Sequence, residues 1–384
     1  MTRDRLLFYC QHSLGLGHLA RSLRLAEGLA DRFDVLLLNG GRFPAGTRVP
    51  AGVAVLNLPP LGQAGADLIS RDPAYSVEEA CAERRRLILD ALDDTTPAVV
   101  LIEMYPFGRN KFEFELLPLL DAVAALGDRR PRVVSSLRDI LVQRPVGQER
   151  HDERAVTRLN ASFDAIVMHA DPAFATLEDS FHPATPLRVP VHYSGFVAPP
   201  APAPADLPLA RLIVSAGGGM VGEPLVRAAV EVHRDLFIRT GLRTTAVAGP
   251  FLPAPVWEWL QDQARHSPVL DAVRRVDDLA AEIGRSALSL SQGGYNTTMD
   301  LLRAGTPAVV VPYAAGTEDE QTRRTARLAD LGALRMLPAR ELESRERLLE
   351  LLVAAAASTP AAVPLDLSGA ETTARILAAE VAVP

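Results

Sequence analysis

Short, mostly apolar runs alternate with amphipathic stretches along this chain. LLFYC (6–10), FDVLLLNG (33–40) and AVVLIEMY (98–105) are three of the apolar runs, and LARSLRLAEGLADR between the first two has its leucines at helical spacing. A strand that is apolar on both faces is typical of a parallel sheet covered by helices on each side. This alternation of strands and helices predicts a doubly wound α/β sheet.

The same alternation starts again after a proline- and alanine-rich tract. VAPPAPAPADLP is expected to be stiff and extended, and a further apolar run, ARLIVSAGGG, follows it. We therefore predict an α/β protein with two Rossmann-like domains that face each other across a cleft. The predicted parts are an N-terminal domain (1–197), a linker (198–208), a C-terminal domain (209–368) and a final helix (369–384) that could cross back to the N-terminal domain.

Glycine-rich turns follow three of the predicted strands. They span Ser13–His18, Ser215–Gly219 and Gln292–Gly294. In an open parallel sheet, ligands lie beyond the carboxyl ends of the strands, where helix N-termini offer N–H groups to a phosphate. None of the turns has the three-glycine fingerprint of a dinucleotide site, and the second strand ends at Asn39 rather than at an acidic residue. An NAD-dependent enzyme is therefore disfavoured.

Composition excludes several other classes of function. The net charge of −7 argues against nucleic acid as a partner, because phosphate binding requires a concentrated basic face. Lys111 is the sole lysine, so no Walker-type phosphate loop exists. Cys10 and Cys81 are too few for a zinc knuckle or a disulfide framework, and Cys10 is expected in the core. The charged run Glu83–Arg86 is predicted to be the solvated face of a helix.

The third glycine turn belongs to a longer pattern, LSLSQGGYNTTMDLLRAGTPAVVVPYAAGTEDEQTRRTARLADLGA (288–333). Two glycines precede small polar residues, an acidic residue follows one helical turn later, and then come Ala-Gly-x-Pro, an apolar strand ending in proline, a glutamine and x-Gly-Ala. This pattern resembles the donor region of GT-B glycosyltransferases, especially the MurG-like group, and Gly15–His18 is similar to that group's first turn. The whole chain also resembles a bacterial group described as predicted glycosyltransferases.

The resemblance implies a GT-B fold and assigns residues to a nucleotide-sugar donor. Asp300 stands where the family binds the ribose hydroxyls, with a helix-surface carboxylate as the alternative. Glu320 and Gln321 stand where it contacts the donor sugar, and Val276 where its main chain holds the base. The glycine turns would hold the diphosphate, and the second turn is expected to open a helix. For Asn296 and Thr297, which follow the third turn, the alternative is that they cap the N-terminus of the next helix. The remaining donor-side candidates are Gly15, Gly17, Gly217, Gly218, Gly219, Gly293, Gly294, Asn296 and Thr297.

No metal and no other cofactor is expected. Asp277 and Asp278 could suggest a metal site, but they precede a predicted helix and are better explained as negative charge at its N-terminus. The resemblance implies that backbone N–H groups and the helix dipole offset the diphosphate charge instead.

His18 is the predicted general base. It follows Gly17 at the start of a helix, and a pKa near neutrality would let it take a proton from an acceptor hydroxyl; capping or packing at the helix start is the alternative. Glu103 ends an apolar strand and would orient His18 or bind the acceptor. His12 is predicted to be structural. The acceptor-side candidates, for which a surface ion pair is the alternative, are Arg109, Arg138 and Asp139.

Three functions are compatible with these residues. The first is an inverting, metal-independent glycosyltransferase that uses a UDP- or TDP-sugar. The second is a nucleotide-sugar hydrolase, because GLGHLARSLRLA also resembles the first loop of the sugar-nucleotide hydrolase of the pseudaminic acid pathway. The third is a non-catalytic donor-binding partner subunit. The acceptor could be a small molecule or lipid-linked, with peripheral membrane contact. Since the sequence has no signal peptide and no run of ~18 apolar residues, we predict a cytoplasmic protein.

Overall fold

The computed structural model of the chain describes residues 3–12, 16–44, 46–64, 67–203, 208–313 and 319–382. Two compact units make up the chain. The first unit combines Met1–Val197 with Leu365–Pro384, and the second unit is Ala198–Pro364. The chain therefore leaves the first unit once and returns to it for its last segment.

Most of the strands are four to seven residues long and belong to two sheets. In chain order they are β1 (Asp4–Cys10), β2 (Phe33–Asn39), β3 (Val53–Asn57), β4 (Leu61–Ala64), β5 (Asp67–Ser70), β6 (Val99–Glu103), β7 (Arg132–Arg138), β8 (Ala165–His169), β9 (Val191–Tyr193), β10 (Leu209–Ser215), β11 (Arg243–Val247), β12 (Leu270–Val273), β13 (Ser286–Gln292), β14 (Ala308–Val311) and β15 (Arg335–Met336).

Helices connect these strands, as expected for parallel pairing. They are α1 (Leu16–Leu29), α2 (Val77–Thr95), α3 (Glu113–Ala125), α4 (Gln148–Ser162), α5 (Glu223–Thr240), α6 (Ala254–Arg265), α7 (Leu279–Gly284), α8 (Tyr295–Ala304), α9 (Glu320–Asp330), α10 (Arg345–Ala356) and α11 (Gly369–Ala382). Short 3₁₀ turns cover Asn110–Phe112, Gly127–Arg129, Leu177–Asp179 and Ala339–Glu341. Within the described residues, every helix is too short or too polar to span a bilayer.

The first unit is built on a seven-stranded sheet with the order β3-β2-β1-β6-β7-β8-β9. Every neighbouring pair in it is parallel. The order reverses between β1 and β6, and the crevice at such a reversal is where ligands of this architecture bind. The antiparallel hairpin of β4 and β5 was not predicted from the sequence.

The last helix completes the first unit by packing on α1. Ala370 lies so close to Gly28 of α1 that a Cβ on Gly28 would be 2.7 Å from the Ala370 Cβ. Leu377 of α11 is fully buried in the same apolar cluster as Leu25 and Leu29 of α1. The glycine in α1 is therefore required for the close approach of the two helices.

The second unit has a six-stranded sheet with the order β12-β11-β10-β13-β14-β15, again parallel throughout. Its order reverses between β10 and β13. Ser215 at the end of β10 is in register with Ser291 near the end of β13. The turns that follow these two strands therefore leave the sheet side by side.

Candidate active site

The carboxylate of Glu103 is the centre of a buried charged cluster in the first unit. Its Oε1 atom is 2.5 Å from His18 Nδ1 and 2.6 Å from Arg21 Nη2, and its Oε2 atom is 2.8 Å from Arg109 Nη2. The Glu103 side chain is fully buried. Burial alone would raise the pKa of Glu103. The charge that His18 carries in acid, together with the charges of Arg109 and Arg21, outweighs burial and holds that pKa well below its ordinary value.

His18 is the third residue of α1, and its side chain is 29% exposed. Since a carboxylate can only accept, the bond to Glu103 places the hydrogen on Nδ1 and leaves the lone pair on Nε2. Burial lowers the pKa of His18 to about 4, with Arg109 and Arg138 acting in the same direction and Glu103 opposing them. The predicted pKa near neutrality was wrong because the sequence does not reveal this burial. The imidazole is neutral at pH 7.

The segment between β6 and α3 carries backbone strain. Met104 has φ = 64° and Arg109 has φ = 67°, in the left-handed region that side-chain-bearing residues rarely adopt. Each such residue costs roughly 1–3 kcal/mol and persists only where the surroundings impose it. The two strained residues lie at the ends of the segment 104–109. This segment turns the chain after Glu103 so that the Arg109 guanidinium returns to the Glu103 carboxylate.

Arg138 and Asp139 come at the carboxyl end of β7. Asp139 is only 1% exposed, and the Arg109 side chain is 14% exposed. The alternative of an ordinary surface ion pair therefore does not describe these residues. Arg109 and Arg138 line, together with His18, a cavity of about 210 Å³ whose described lining residues all belong to the first unit.

The prediction that Glu83–Arg86 is a solvated helix face was wrong for one residue. Arg84 is fully buried and binds the equally buried Glu115 of α3 through Nε (2.7 Å) and Nη2 (2.6 Å). Arg86 fits the prediction, since its side chain is 57% exposed and pairs with Glu83. Neighbouring arginines on a helix point in different directions, so a charged run does not show which of them faces the core.

Arg84 also ties together the loops that follow β1, β2 and β3. Its Nη2 donates to Gln11 Oε1 (2.7 Å), and its Nη1 donates to the carbonyls of Gly40 and Pro59 (3.0 Å each). His12 lies beside this cluster, with Nε2 2.9 Å from Asn39 Oδ1. His12 is buried in a loop contact, in keeping with the structural role predicted for it.

In the second unit, the glycine turn after β10 is pressed against the loop after β11. Gly217 and Gly219 have φ values of 59° and 87°. A Cβ on Gly219 would lie 2.4 Å from the carbonyl oxygen of Ala248, and the N–H of Phe251 donates to the carbonyl of Gly218 at 2.9 Å. The expectation that these glycines open a helix was wrong, because α5 begins only at Glu223.

The N-terminus of α8 lies beside that turn. The N-cap residue is Gly294, which has no side chain to cap the helix, and Asn296 and Thr297 lie within its first turn. A Cβ on Gly217 would be 4.0 Å from Thr297 Oγ1. The positive end of a helix dipole and a glycine turn thus adjoin at the order reversal of this sheet, an arrangement suited to a phosphate.

The other donor-side candidates surround this point to different degrees. Asp300 is 3% exposed on α8, so the alternative of a helix-surface carboxylate was wrong. Glu320 begins α9 and is 8% exposed. Gln321 Oε1 accepts from the N–H of Tyr313 at 3.0 Å, which fixes its amide against the loop after β14. Val276 lies half-buried in the loop between β12 and α7.

The remaining predicted positions lie at the N-termini of α1 and α7. Gly17 is exposed at the second position of α1, whereas Gly15 lies outside the described residues. Asp278 caps α7 by accepting from the N–H of Ala281 at 3.0 Å, as its predicted role at a helix N-terminus requires. Over the described ranges, no group of three or more histidine, cysteine, aspartate or glutamate side chains is placed to hold a metal ion.

Sequence reasoning missed Arg21 in the first unit. Arg21 is 3% exposed and binds the same carboxylate oxygen of Glu103 as His18 does. The three-residue spacing of His18 and Arg21 could have indicated it, because residues three apart on a helix lie on the same face. The partner of that face, a strand-end carboxylate, is far away in sequence.

One family and several known proteins match part of the chain. The family description "Glycosyltransferase family 28 C-terminal domain" matches residues 253–365. A Rhodospirillum centenum protein and a Pseudomonas fluorescens protein, both named UDP-N-acetylglucosamine--N-acetylmuramyl-(pentapeptide) pyrophosphoryl-undecaprenol N-acetylglucosamine transferase, are each 30% identical to this chain. The first match covers 168 residues, 43% of either chain, and the second covers 203 residues, 50% of this chain and 52% of the relative. The chain thus spans about half, or less, of these relatives.

Solved structures align over nearly the whole chain. CalG4, the calicheamicin glycosyltransferase, matches with a TM-score of 0.59 at 17% identity over 100% of this chain and 95% of CalG4. Acinetobacter baumannii MurG matches with a TM-score of 0.55 at 15% identity over 98% and 99%. The spinosyn rhamnosyltransferase SpnG complexed with thymidine diphosphate matches with a TM-score of 0.54 at 16% identity over 98% and 96%. The predicted resemblance and the GT-B fold of two Rossmann-like domains are confirmed.

Proposed function

We propose that this protein is an inverting glycosyltransferase that moves a sugar from a UDP- or TDP-sugar to an acceptor hydroxyl, with His18 as general base. The observation that carries the proposal is the 2.5 Å bond between His18 Nδ1 and the buried Glu103 carboxylate, which leaves Nε2 as the basic atom. The family match over 253–365, in the unit to which we assign the donor, supports the reaction class. The names of the relatives support a nucleotide-sugar donor.

The proposed step is a single displacement. Nε2 of His18 takes the proton of the acceptor hydroxyl, and the acceptor oxygen attacks the anomeric carbon from the face opposite the diphosphate. The bond between that carbon and the diphosphate oxygen breaks, and the nucleoside diphosphate leaves with the bonding electrons. Attack from the opposite face inverts the anomeric configuration.

Glu103 is assigned the role of a positioning residue in this scheme. It holds the tautomer of His18 and stabilises the imidazolium that forms when Nε2 is protonated. Arg21 and Arg109 also bind this carboxylate. Burial, together with the charges of Arg109 and Arg138, outweighs the opposing effect of Glu103 and lowers the pKa of His18 to about 4. The neutral imidazole is therefore available at any pH above about 5, and proton transfer accompanies bond formation to the anomeric carbon rather than preceding it.

The second unit is assigned to the donor. The N-terminus of α8 and the turn Gly217–Gly219 would offer backbone N–H groups to the diphosphate, and the buried carboxylate of Asp300 would bind the ribose hydroxyls. Gln321, held by its bond to Tyr313, would contact the sugar. The helix dipole offsets the charge of the leaving diphosphate, so the scheme requires no metal.

Substitution of His18 by glutamine tests the base. The amide can keep a hydrogen bond to Glu103 but cannot take a proton, so sugar transfer should fall ~10²- to 10⁴-fold while the affinity for UDP and TDP stays within about twofold. Calorimetry with UDP, TDP and GDP measures binding, and mass spectrometry of incubations with UDP-N-acetylglucosamine or TDP-glucose and cell extract measures transfer. The matched control is His266→Gln, whose side chain is 72% exposed.

The same measurements separate the alternatives. Unchanged transfer in His18→Gln removes His18 from the mechanism. Rapid release of UDP without any acceptor, at the rate seen with extract, indicates a hydrolase. Nucleotide binding without turnover on a broad set of acceptors indicates a donor-binding subunit, and absence of nucleotide binding overturns the proposal.

A further inference from the structure

The cavity beside His18 has walls of two kinds. One part is apolar and includes Met104, Phe107 and Leu141, from the segments that follow β6 and β7. The other part includes three basic residues, Arg109, Arg138 and Arg144. Its volume of about 210 Å³ is below the 300 Å³ at which pockets for drug-sized ligands begin. The cavity therefore has room for about one ring with a small substituent.

Among the described residues that line the cavity, the arginines outnumber the carboxylates by three to one. Asp152 is that one carboxylate, and it is already bound on both oxygens. Its Oδ1 accepts from Gln148 Nε2 at 2.7 Å, and its Oδ2 accepts from the N–H of His182 at 3.0 Å. Glu103, behind the wall, is shared among His18, Arg21 and Arg109. Within the described lining, Arg144 therefore has no carboxylate partner, and Arg109 shares its partner with two other side chains.

Two of the arginines retain donors that the protein does not use. Arg144 is exposed, its main-chain N–H binds Gln148 Oε1 at 2.8 Å, and within the described part of the chain its guanidinium makes no ion pair. Arg109 binds Glu103 through Nη2, while its buried Nε has no partner among the described residues. An unpaired buried donor is costly unless a ligand or water satisfies it. Both observations indicate an acceptor of hydrogen bonds in the cavity.

We propose that this cavity binds the acceptor substrate, and that the acceptor is a compact molecule carrying a carboxylate or a phosphate monoester on a largely apolar, ring-sized body. The planar donor fork of arginine matches these two anions, and the apolar wall matches the body that carries them. The inference rests on the proposed function, because the cavity borders the atom assigned as the base. It favours a small acceptor over a lipid-linked saccharide, whose bulk this cavity does not enclose.

Binding of model anions to the full chain tests the inference without the unknown acceptor. Ligand-observed NMR titrations would use benzoate, phenyl phosphate and benzamide, which share one ring and differ in charge. We expect at least one of the two anions to bind about tenfold or more tightly than the neutral benzamide, because charge-assisted bonds to arginine are the stronger kind. Equal binding of all three, or binding of none, overturns the inference.

Arg144→Gln should weaken the anion about tenfold and leave benzamide unchanged. The matched control is Arg150→Gln, which removes the same charge from an exposed position on α4, six residues further along the chain and outside the lining of the cavity, and should change neither ligand. Equal losses in both variants indicate only a general charge effect and overturn the inference.

A parallel UDP titration keeps this inference separate from the proposed function. UDP affinity should be the same in wild type and Arg144→Gln. A tenfold loss of UDP affinity in that variant assigns the arginines to the diphosphate and overturns an acceptor anion. Anion binding in a wild-type protein that binds no nucleotide overturns the proposed function and, with it, the acceptor role of the cavity, although the anion site itself would stand.

Discussion

Gly294→Ala separates donor binding from folding in the second unit. Gly294 has φ = −64° and ψ = 150°, which any residue adopts. Apart from its chain neighbours, no atom of the described residues lies within 4 Å of the position that its Cβ would take. Alanine is a poorer N-cap than glycine, but loss of glycine's freedom in the unfolded chain acts in the opposite direction. The free energy of unfolding should therefore change by no more than about 0.5 kcal/mol.

The effect on the donor should be much larger. We place the diphosphate at the N-terminus of α8, where the new methyl group would project into space that the protein leaves open. An extra methyl in a filled site costs about 1–3 kcal/mol. UDP and TDP should therefore bind about 5- to 150-fold more weakly.

Gly293→Ala is the contrasting variant one residue earlier. Its Cβ would lie 2.6 Å from Thr325 Oγ1 and 3.3 Å from the Cα of Pro312, so it should lower the free energy of unfolding by about 1–3 kcal/mol. Isothermal titration with UDP and TDP gives affinity, and urea unfolding followed by near-UV circular dichroism gives stability. If Gly294→Ala binds both nucleotides as wild type does, the helix N-terminus does not hold the diphosphate and the donor assignment is wrong.

Three further predictions concern the buried contacts. Arg84→Met should destabilise the first unit by about 3–5 kcal/mol, because it removes the ion-pair partner of the buried Glu115 carboxylate. The control Arg86→Met, at an exposed site, should change stability by less than about 0.5 kcal/mol. Hydrogen exchange of first-unit peptides during urea titration measures both variants, and equal effects in the two would contradict the prediction. Burial lowers the pKa of His169 to about 3, so on acidification the unfolded chain takes up a proton at this residue before the folded chain does. The free energy of unfolding should therefore fall by about 3 kcal/mol between pH 6.5 and pH 4. An unchanged urea midpoint over that range, or an equal pH dependence of stability in His169→Asn, contradicts this. Gly219→Ala, with its Cβ 2.4 Å from the Ala248 carbonyl oxygen and φ = 87°, should lower both the melting temperature and UDP affinity, and a variant that melts and binds like wild type would show that the turn does not need glycine.

The fold was largely predictable because its signal is local. Apolar runs of strand length and helical periodicity are written in consecutive residues, and they predicted the alternation that both sheets show. The hairpin of β4 and β5 was not predicted, since its strands are four residues each and carry little periodicity. The start of α5 was misplaced because a glycine turn and a helix N-terminus share the same composition.

Residues of the candidate site were predictable only where an ionisable side chain stands at the end of a strand or in the turn that follows it. Glu103 and His18 could be named from their positions at the ends of an apolar run and a glycine turn. The burial that lowers the pKa of His18 depends on contacts between distant segments, and no local pattern encodes it. The burial of Arg84 depends likewise on Glu115, which lies on another helix.

The docking of α11 on α1 has a consequence for synthesis of the chain. The apolar stripe of α1 that includes Leu25 and Leu29 is covered by a helix that is translated only after the whole of Ala198–Pro364. At 5–20 residues per second, the ribosome spends roughly 10 to 30 s on that intervening stretch. During this interval the apolar face of α1 in the nascent first unit lacks the helix that covers it. The first unit therefore cannot complete its apolar core until the second unit has been translated, although its own first residues are made earlier.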